Sequence, residues 1–406
     1  MSEPWLDIIG IGEDGVGGLS SFAREKLEAA DVIIGGDRHH GLSPNVRAER
    51  LSWPSPFNAM IDVIKLHKGK KLVILVTGDP LWYSVGARIG RSIPVDEIRF
   101  HPQLSAFQWA SARMGWSMAD VDTLTIHGRA NSQIMPYLAP NVRLLVLTQN
   151  KDSPAAVAKL LVERGFGKSK ITALAALGGE REQRFDGVAN NWNHDVPDFH
   201  TLAVECVAGE NAKWYPRTGG LPDDAFFSDG QITKQDVRAA TIAKLAPYSD
   251  ALLWDIGAGC GSVSIEWMRA ARGAMAIAIE AKPKRVEMIR QNAVELGVEK
   301  IEIIEEQAPK ALVGLRQPDA VFIGGGLSVD GVFETAWAEL KAGGPLVANA
   351  VTLESEMRLI ELHKQYGGEL VRLSVQKAEP IGSFHGWRAA MPVTQWSVVK
   401  PFEATQ

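Results

Sequence analysis

Residues 251–261 read ALLWDIGAGCG, an apolar run that leads into three glycines spaced two residues apart. An apolar run of this length bounded by glycine is typical of a buried strand, and the glycines permit a tight turn into a helix predicted over 262–271. A second apolar run, 274–280, ends at Glu280, 19 residues after Gly261. Such a turn lets a ligand approach the backbone, and a carboxylate at the next strand end can accept hydrogen bonds from both hydroxyls of a ribose. This stretch therefore predicts a nucleotide-type pocket.

The rest of the second half alternates apolar runs with amphipathic segments. Alternating strands and helices imply a mostly parallel sheet, and two final strands with no helix between them imply an antiparallel edge. Residues 382–392, GSFHGWRAAMP, lie between those final strands and are predicted as a loop with aromatic and cationic side chains. The predicted strands are 301–305, 320–324, 345–351, 370–377 and 394–400, and the predicted helices are 283–296, 332–341 and 353–365.

The first half alternates in the same way but carries a different glycine motif. The run 71–77, KLVILVT, is of the buried-strand type and stops at Gly78-Asp79-Pro80. This rigid turn places backbone donors and one carboxylate at the carboxyl edge of a sheet, where α/β proteins bind ligands. Further strands are predicted at 6–10, 31–34, 143–147, 170–176 and 202–207, and helices at 21–30, 105–114 and 154–164.

A composition break separates the two halves. Residues 209–230 are rich in glycine and proline and show no periodicity, which is typical of a linker. We therefore predict α/β domains over 1–209 and 231–406, joined by a linker over 210–230.

The composition limits the class of protein. With 406 residues, 46% hydrophobic and 22% charged, the chain can bury more than one core and is not disordered. The formal net charge of −5 disfavours a general nucleic-acid partner. The two cysteines, Cys206 and Cys260, lack the spacing of a zinc site or a disulfide framework, so we predict no metal. No apolar stretch is long enough to span a bilayer and no leader pattern is visible, so we predict no membrane partner and a cytoplasmic location.

The glycine turn of the second half also resembles a known family. Asp255-x-Gly257-x-Gly259-x-Gly261 is similar to the motif of class I S-adenosylmethionine-dependent methyltransferases, whereas the dinucleotide fingerprint places its third glycine one residue later. Four further segments, 230–238, 257–266, 308–312 and 349–354, resemble the CbiT family of cobalamin-pathway methyltransferases. Cys260 stands where that family more often has threonine. The resemblance implies S-adenosylmethionine held by Thr233, Asp255, Gly257, Gly259, Gly261, Glu280 and Ala308.

The first half resembles the tetrapyrrole methylases. The matching segments, in the family's order, are Gly10-Ile11-Gly12-Glu13-Asp14, Gly78-Asp79-Pro80, Gln103-Leu104-Ser105-Ala106 and His127-Gly128-Arg129. Glu13 replaces the family's usual proline and Gln103 its usual glycine. The resemblance implies a fold of two α/β subdomains for this half. It also implies His127 on the substrate side and a second S-adenosylmethionine pocket formed by Gly10, Gly12, Thr77, Gly78, Asp79, Trp82, Ser105 and Ala106.

The order of the two halves resembles the CobL-type precorrin-6Y C5,15-methyltransferases (decarboxylating), in which a CbiE-like tetrapyrrole methylase precedes a CbiT-like domain. This resemblance implies a bifunctional enzyme of cobalamin (vitamin B12) biosynthesis that methylates C5 and C15 of a precorrin and removes CO2 from the acetate on C12. It implies one S-adenosylmethionine pocket per domain, with C5 assigned to the N-terminal domain. We further expect a homo-oligomer and transient contacts with neighbouring corrin-pathway enzymes.

The expected substrate and chemistry suggest further residues. A tetrapyrrole polycarboxylate favours cationic partners, because a guanidinium holds a carboxylate by two hydrogen bonds. We therefore predict that Lys234, Arg238, Lys377 and Arg388 bind the substrate. An electron-rich ring carbon supplies the nucleophile itself, so methyl transfer needs alignment rather than a strong base. Decarboxylation needs an acid–base group near C12, for which the candidates are Glu266, His385 and Arg388.

Two alternatives stay open at this point. One is an RNA or protein methyltransferase of related fold, although Phe322-Ile323-Gly324-Gly325-Gly326 does not resemble the Asn-Pro-Pro-Tyr motif that binds an amine. The other is a tetrapyrrole-binding carrier in which one pocket has lost catalysis, a reading that rests on the departures at Glu13 and Gln103.

Overall fold

The computed structural model describes residues 4–402, which form two compact units. The N-terminal unit comprises the chain up to Asn131 together with Ala139–Lys213. The C-terminal unit comprises Ser132–Leu138 and the chain from Trp214 onward. Among the described residues, no helix combines the length and the apolar character that crossing a bilayer requires.

The first part of the N-terminal unit is a parallel sheet with short helices. The strands are β1 (Leu6–Ile11), β2 (Val32–Ile34), β3 (Glu49–Leu51), β4 (Leu72–Thr77) and β5 (Ile98–His101), and the helices are α1 (Ser21–Glu28), α2 (Asp37–Gly41), α3 (Met60–Leu66) and α4 (Val85–Ile89). The strand order is β3-β2-β4-β1-β5, and every pair is parallel. Because Ile11 pairs with Thr77, the two glycine motifs leave the sheet side by side at its carboxyl edge.

The second part of the N-terminal unit is a mixed sheet. Its elements are α5 (Ala106–Met114), β6 (Asp122–Thr125), β7 (Arg143–Leu147), α6 (Ser153–Glu163), β8 (Lys170–Ala175), β9 (Gln183–Val188) and β10 (His200–Glu205). The strand order is β6-β7-β10-β8-β9, and only β6 and β7 are parallel within it. Two α/β subdomains therefore form this unit, as the tetrapyrrole-methylase resemblance implies.

The C-terminal unit has a sheet of seven strands. Its elements are α7 (Gln235–Leu245), β11 (Leu252–Ile256), α8 (Ser262–Ala270), β12 (Met275–Ile279), α9 (Pro283–Glu295), β13 (Glu302–Ile304), β14 (Ala320–Ile323), α10 (Val332–Glu339), β15 (Pro345–Ala350), α11 (Leu353–Tyr366), β16 (Glu369–Leu373), β17 (Gln376–Ile381), β18 (Phe384–Ala389) and β19 (Val393–Val399). The order is β13-β12-β11-β14-β15-β19-β16, with β19 antiparallel to both of its neighbours. This is the parallel sheet with an antiparallel edge that the sequence predicts.

Apart from Asp255, the central strand β11 is apolar because both of its faces are covered. Leu252, Trp254 and Ile256 pack into one core cluster, and Leu253 packs into a second cluster that also contains Trp267. Burial on both sides of a parallel strand removes the alternation that a half-exposed strand would show. The run that ends at the glycine turn is therefore fixed by the core on two sides.

Two predictions about connecting segments need correction. Residues 382–392 are not a loop: β17 and β18 form an antiparallel ribbon that pairs Gln376 with Ala389 and Ile381 with Phe384. Residues 214–230 are not a free linker, because Leu221, Ala225 and Phe226 are buried in the core of the C-terminal unit. Their apolar side chains find partners on α8 and α9 that no local pattern shows.

Candidate active sites

The glycine turn after β11 presents one open position. Gly257, Gly259 and Gly261 have φ values of 74°, 61° and 79°, which favour glycine. A Cβ on Gly257 would lie 2.8 Å from the Gly325 Cα, and one on Gly261 would lie 3.0 Å from the Ile289 Cγ2. A Cβ on Gly259 would have only the Gln231 carbonyl oxygen within 4 Å, at 3.6 Å. The outer two glycines therefore allow close packing, and the middle one faces space that a ligand can enter.

Glu280 is held beside this turn. Its Oε2 accepts from the Gly259 amide at 2.9 Å and its Oε1 accepts from the Lys282 amide at 2.9 Å. These bonds fix the carboxylate next to the open glycine, and each oxygen retains a lone pair for a further donor. The arrangement fits a carboxylate that binds the two hydroxyls of a ribose.

Asp255 lies fully buried under the same turn with one unsatisfied oxygen. Its Oδ2 accepts from the backbone amide and the hydroxyl of Ser264, at 3.0 and 2.6 Å. Its Oδ1 has no partner among the described residues. Burial raises the pKa of Asp255 to about 6, although the Ser264 hydrogen bonds oppose the rise. A buried acceptor without a donor is costly, so this oxygen fits a cationic or N–H group brought by a ligand.

Arg238 and Glu266 form a buried ion pair, which corrects two predictions. Both side chains are fully buried, and the Arg238 Nε donates to the Glu266 Oε1 at 2.6 Å. Arg238 also donates to Asp223 and to the Leu221 carbonyl, and Glu266 accepts from the Gly220 and Leu221 amides. Arg238 is therefore not a substrate-binding residue, and Glu266 is not a catalytic one. Together they hold the segment before α7 onto α7 and α8.

The other predicted residues of the segments 230–238 and 308–312 lie near the surface. The Thr233 carbonyl accepts from Arg238. Lys234 is half exposed, and its Nζ lies 4.0 Å from an Asp223 oxygen. Ala308 follows β13 and packs against the main core cluster at the carboxyl edge of the sheet. Their contacts with a ligand stay predictions.

The predicted residues on the ribbon are exposed. Lys377 and Arg388 pair across its two strands, and the Arg388 guanidinium lies 3.0 Å from Glu379. His385 is opposite Pro380. Because Ala350, at the end of β15, pairs with Thr394, at the start of β19, the ribbon leaves the sheet at the edge that carries the glycine turn. The substrate-binding role of Lys377 and the catalytic roles of His385 and Arg388 stay predictions.

The cleft of the N-terminal unit collects four of the eight residues predicted for it. Gly12, Thr77, Gly78 and Ala106 line this cleft. It is bounded by the carboxyl edge of the first sheet and by Leu174, Phe199 and other side chains of the second part. The glycine loop and the turn after β4 thus face one space.

The remaining four predicted residues, Gly10, Asp79, Trp82 and Ser105, do not line this cleft. Gly10 packs so closely that a Cβ there would lie 1.8 Å from the Gly78 carbonyl oxygen. Ser105 caps α5, Asp79 accepts from the Leu81 amide at 2.7 Å, and Trp82 packs on Phe107 with ring centroids 5.3 Å apart.

The two departures from the tetrapyrrole-methylase pattern have partners in the structure. The Gln103 amide donates to the Gly18 carbonyl and so ties the third motif to the first loop. Glu13 pairs with Arg38, a residue that the sequence interpretation missed. Arg38 and His39 follow Gly35-Gly36 at the end of β2, so the rule that ligands bind at carboxyl edges would have found them.

The histidine of the fourth motif and the two cysteines show no sign of reactivity in the structure. His127 is exposed, and its Nδ1 lies 3.1 Å from the Thr148 carbonyl oxygen. Burial raises the pKa of the Cys206 thiol to about 12 and that of the Cys260 thiol to about 11, so neither is a reactive thiolate at neutral pH. Within residues 4–402, no group of three or more histidine, cysteine or acidic side chains is placed to hold a metal ion.

Two protein families match this chain, one over each half. The sequence model of the tetrapyrrole (corrin/porphyrin) methylases matches residues 6–191, and that of the precorrin methyltransferase domain matches residues 224–400. The chain is 44% identical over 399 residues to the precorrin-6Y C(5,15)-methyltransferase (decarboxylating) of Sinorhizobium sp, a match that covers 98% of this chain and 97% of the relative.

Two shorter relatives match parts of the chain. The cobalt-precorrin-7 C(5)-methyltransferase of Salmonella typhimurium is 30% identical over 178 residues, which is 44% of this chain and 88% of the relative. The probable cobalt-precorrin-6B C(15)-methyltransferase (decarboxylating) of Sulfolobus acidocaldarius is 29% identical over 167 residues, which is 40% of this chain and 87% of the relative.

The resemblance inferred from the motifs is confirmed by the full-length match. The methyl donor of this family is S-adenosylmethionine, and the open Gly259, the Glu280 carboxylate and the orphan oxygen of Asp255 fit its ribose and its cationic amino-acid part. The chain belongs to the precorrin-6Y C(5,15)-methyltransferases (decarboxylating) and is an S-adenosylmethionine-dependent methyltransferase.

Proposed function

We propose that this chain transfers methyl groups to C5 and C15 of precorrin-6Y and releases the C12 acetate carboxyl group as CO2. The observation that carries the proposal is the presence of two unlike glycine-lined sites, one at the carboxyl edge of each parallel sheet. One site per unit matches one methyl transfer per unit.

The chain's own residues bind and align the reactants. S-adenosylmethionine supplies an electrophilic methyl group on a sulfonium. In the C-terminal unit, the Gly257–Gly261 turn admits the donor, Glu280 accepts from its ribose, and the Asp255 Oδ1 accepts from its ammonium. A fixed donor next to an electron-rich ring carbon converts an encounter between two molecules into an aligned reaction, and this alignment removes an entropic barrier.

We assign C5 methylation to the N-terminal unit and C15 methylation with decarboxylation to the C-terminal unit. Two shorter relatives, each matching less than half of this chain, have names with a C(5) activity and a C(15) decarboxylating activity respectively. Separate proteins with these names support a division of the work between the two units. The ribbon residues Lys377, His385 and Arg388 are proposed to meet the substrate's carboxylates at the C-terminal site.

The carrier alternative loses its basis. It rested on Glu13 and Gln103, and both side chains have defined partners: Glu13 pairs with Arg38 at the cleft, and Gln103 donates to the Gly18 carbonyl. No observation favours an RNA or protein substrate.

We also propose that the enzyme is a homo-oligomer. The ribbon exposes Ile381, Phe384 and Trp387, and Met391 lies exposed just beyond it. A cluster of exposed apolar side chains of this kind is typical of an interface. Sedimentation of the parent and of a Phe384→Ser/Trp387→Ser variant tests this point, since the variant is expected to sediment as a smaller species.

Product analysis tests the proposed function. The parent is incubated with precorrin-6Y and S-adenosylmethionine carrying a ¹³C-methyl group, and products are resolved by mass and NMR. We expect two labelled methyl groups and the loss of one CO2. A Glu280→Gln variant is expected to lose the C15 label first and keep the C5 label, whereas loss of both labels at the same rate would contradict the division of work.

A further inference from the structure

Arg38 stands at the cleft of the N-terminal unit, held on three sides. Its Nε donates to the Glu13 Oε1 at 2.7 Å, and its Nη2 donates to the same oxygen. Its Nη1 donates to the Thr77 hydroxyl oxygen at 2.9 Å, and its guanidinium lies 3.8 Å from the Phe199 ring centroid. The side chain is still 30% exposed, so the cleft can reach it. A guanidinium fixed in this way is positioned before any ligand binds.

The Thr77 hydroxyl accepts two hydrogen bonds and keeps its own proton free to donate. The Gly36 amide donates to the His39 Nδ1 at 3.2 Å, so the ring proton sits on Nε2, which lies 3.0 Å from the Thr77 oxygen. Burial lowers the pKa of His39 to about 4, which keeps the ring neutral at pH 7. The Thr77 oxygen therefore accepts from both Arg38 and His39, and no acceptor for its own proton is found within residues 4–402.

The cluster is rich in unused donors. Arg38 has five N–H groups, of which three are used by Glu13 and Thr77. Each terminal nitrogen keeps one N–H without a partner among the described residues, and the Thr77 O–H adds a third donor beside Gly78. Two free N–H groups of the Arg38 guanidinium and the Thr77 O–H can together bind the two oxygens of a carboxylate.

We propose that Arg38 and Thr77 bind a carboxylate of a ligand, with Glu13 as the positioning residue that orients Arg38. The inference rests on the proposed function, because both reactants carry carboxylates. The carboxylate belongs either to the amino-acid part of the methyl donor or to an acetate or propionate of the tetrapyrrole. A proline at position 13, usual in the family that this half resembles, has no carboxylate to orient Arg38.

The test uses the full chain with Gly259→Trp, so that donor binding reports on the N-terminal unit. S-adenosylhomocysteine and 5′-methylthioadenosine, which lacks the amino-acid part, are titrated by calorimetry into this background. The same titrations are made with Arg38→Ala, Arg38→Lys and the exposed control Arg91→Ala added. The KM and kcat for C5 methylation are measured in the same variants without Gly259→Trp.

Each source of the carboxylate has its own outcome. If the carboxylate belongs to the donor, Arg38→Ala weakens the binding of S-adenosylhomocysteine by about ten- to a hundredfold, which is the effect of losing a charge-assisted hydrogen bond. The affinity for 5′-methylthioadenosine then changes by no more than about twofold. If it is the tetrapyrrole's, donor binding is unchanged and the tetrapyrrole KM rises by a similar factor with little change in kcat. Arg38→Lys keeps part of the affinity in either case.

Two results would overturn the carboxylate site. One is an Arg38→Ala variant that matches Arg91→Ala in both donor affinity and KM. The other is equal weakening of both donor analogues, which means that the pocket itself has collapsed. A parent whose N-terminal unit binds no S-adenosylhomocysteine would instead contradict the proposed function, so the two failures are distinguishable.

Discussion

The two units build a glycine-lined site in different ways. In the C-terminal unit one continuous stretch, Gly257–Gly261, makes the turn and leaves its middle residue open. In the N-terminal unit, Gly10 and Gly78 belong to two neighbouring strands' ends and close against each other, so that no Cβ fits at Gly10. A turn made by local sequence is recognised from that sequence, whereas a site assembled from distant segments depends on contacts that no single motif contains.

The comparison predicts its most complete loss of activity at Gly10. In a Gly10→Ala variant the added methyl carbon would lie 1.8 Å from the Gly78 carbonyl oxygen, so the two strand ends must separate. We expect loss of C5 methylation and a decrease in unfolding free energy of about 3 kcal/mol, the upper range for overpacking. Activity assays and urea unfolding measure both. Gly17→Ala is the matched control, since nothing lies within 4 Å of its added carbon; equal behaviour of the two variants would refute the close-packing account.

The next effect contrasts the two arginines beside the sites. Arg238 is fully buried with Glu266, whereas Arg38 is partly exposed at a cleft. We expect Arg238→Ala to lower the unfolding free energy by about 3–5 kcal/mol, because it leaves the buried Glu266 unpaired. Urea unfolding checks this value. Lys244→Ala, which breaks the exposed pair with Glu369, is expected to cost about 1 kcal/mol or less. A variant at Arg238 that stays fully stable but loses substrate affinity would restore the substrate-binding role rejected above.

A smaller effect concerns pH and the buried Asp255. Its pKa is raised in the folded state, from an ordinary value of 3.8 to about 6, so the folded chain binds this proton more tightly than the unfolded chain does. Asp255 therefore contributes about 3 kcal/mol to the unfolding free energy below about pH 4, where it is protonated in both states. This contribution is lost as the pH rises to about 6. Urea unfolding of the parent and of Asp255→Asn between these pH values gives the difference that isolates the group. A difference that does not change with pH would show that burial leaves this carboxyl unperturbed.

The smallest of these effects tests the ribose contact. Glu280→Gln keeps the shape of the side chain but replaces the carboxylate, which accepts hydrogen bonds from the Gly259 amide and from a ribose, with a neutral amide. We expect S-adenosylhomocysteine to bind the C-terminal unit about ten- to a hundredfold more weakly, with the N-terminal unit unaffected. Calorimetry measures both sites together. Glu305→Gln, an exposed carboxylate after the neighbouring strand β13, serves as the control and is expected to bind as the parent does.

The same contrast explains what the sequence could predict. β11, the glycine turn and Glu280 follow from local pattern, since a buried strand, a turn and the next strand end lie within about thirty residues. The antiparallel edge also follows, because no helix separates the last strands of the sheet.

Other parts depend on contacts between distant residues. Arg238 and Glu266 looked like free polar groups, because their burial is created by the segment before α7. The ribbon was missed because its strands are exposed on both faces and so lack an apolar period. The carboxyl-edge rule predicts the position of Arg38 but not its orientation, because its partners, Glu13, Thr77 and Phe199, come from three separate parts of the chain.

The most direct test of the central claim is the number of donor sites per chain. S-adenosylhomocysteine is titrated by calorimetry into the parent and into Gly78→Trp and Gly259→Trp variants that circular dichroism shows to be folded. Our account predicts two sites in the parent, with each variant losing a different one. A single site in the parent, lost only in Gly259→Trp, would contradict the claim that each unit is a methyltransferase.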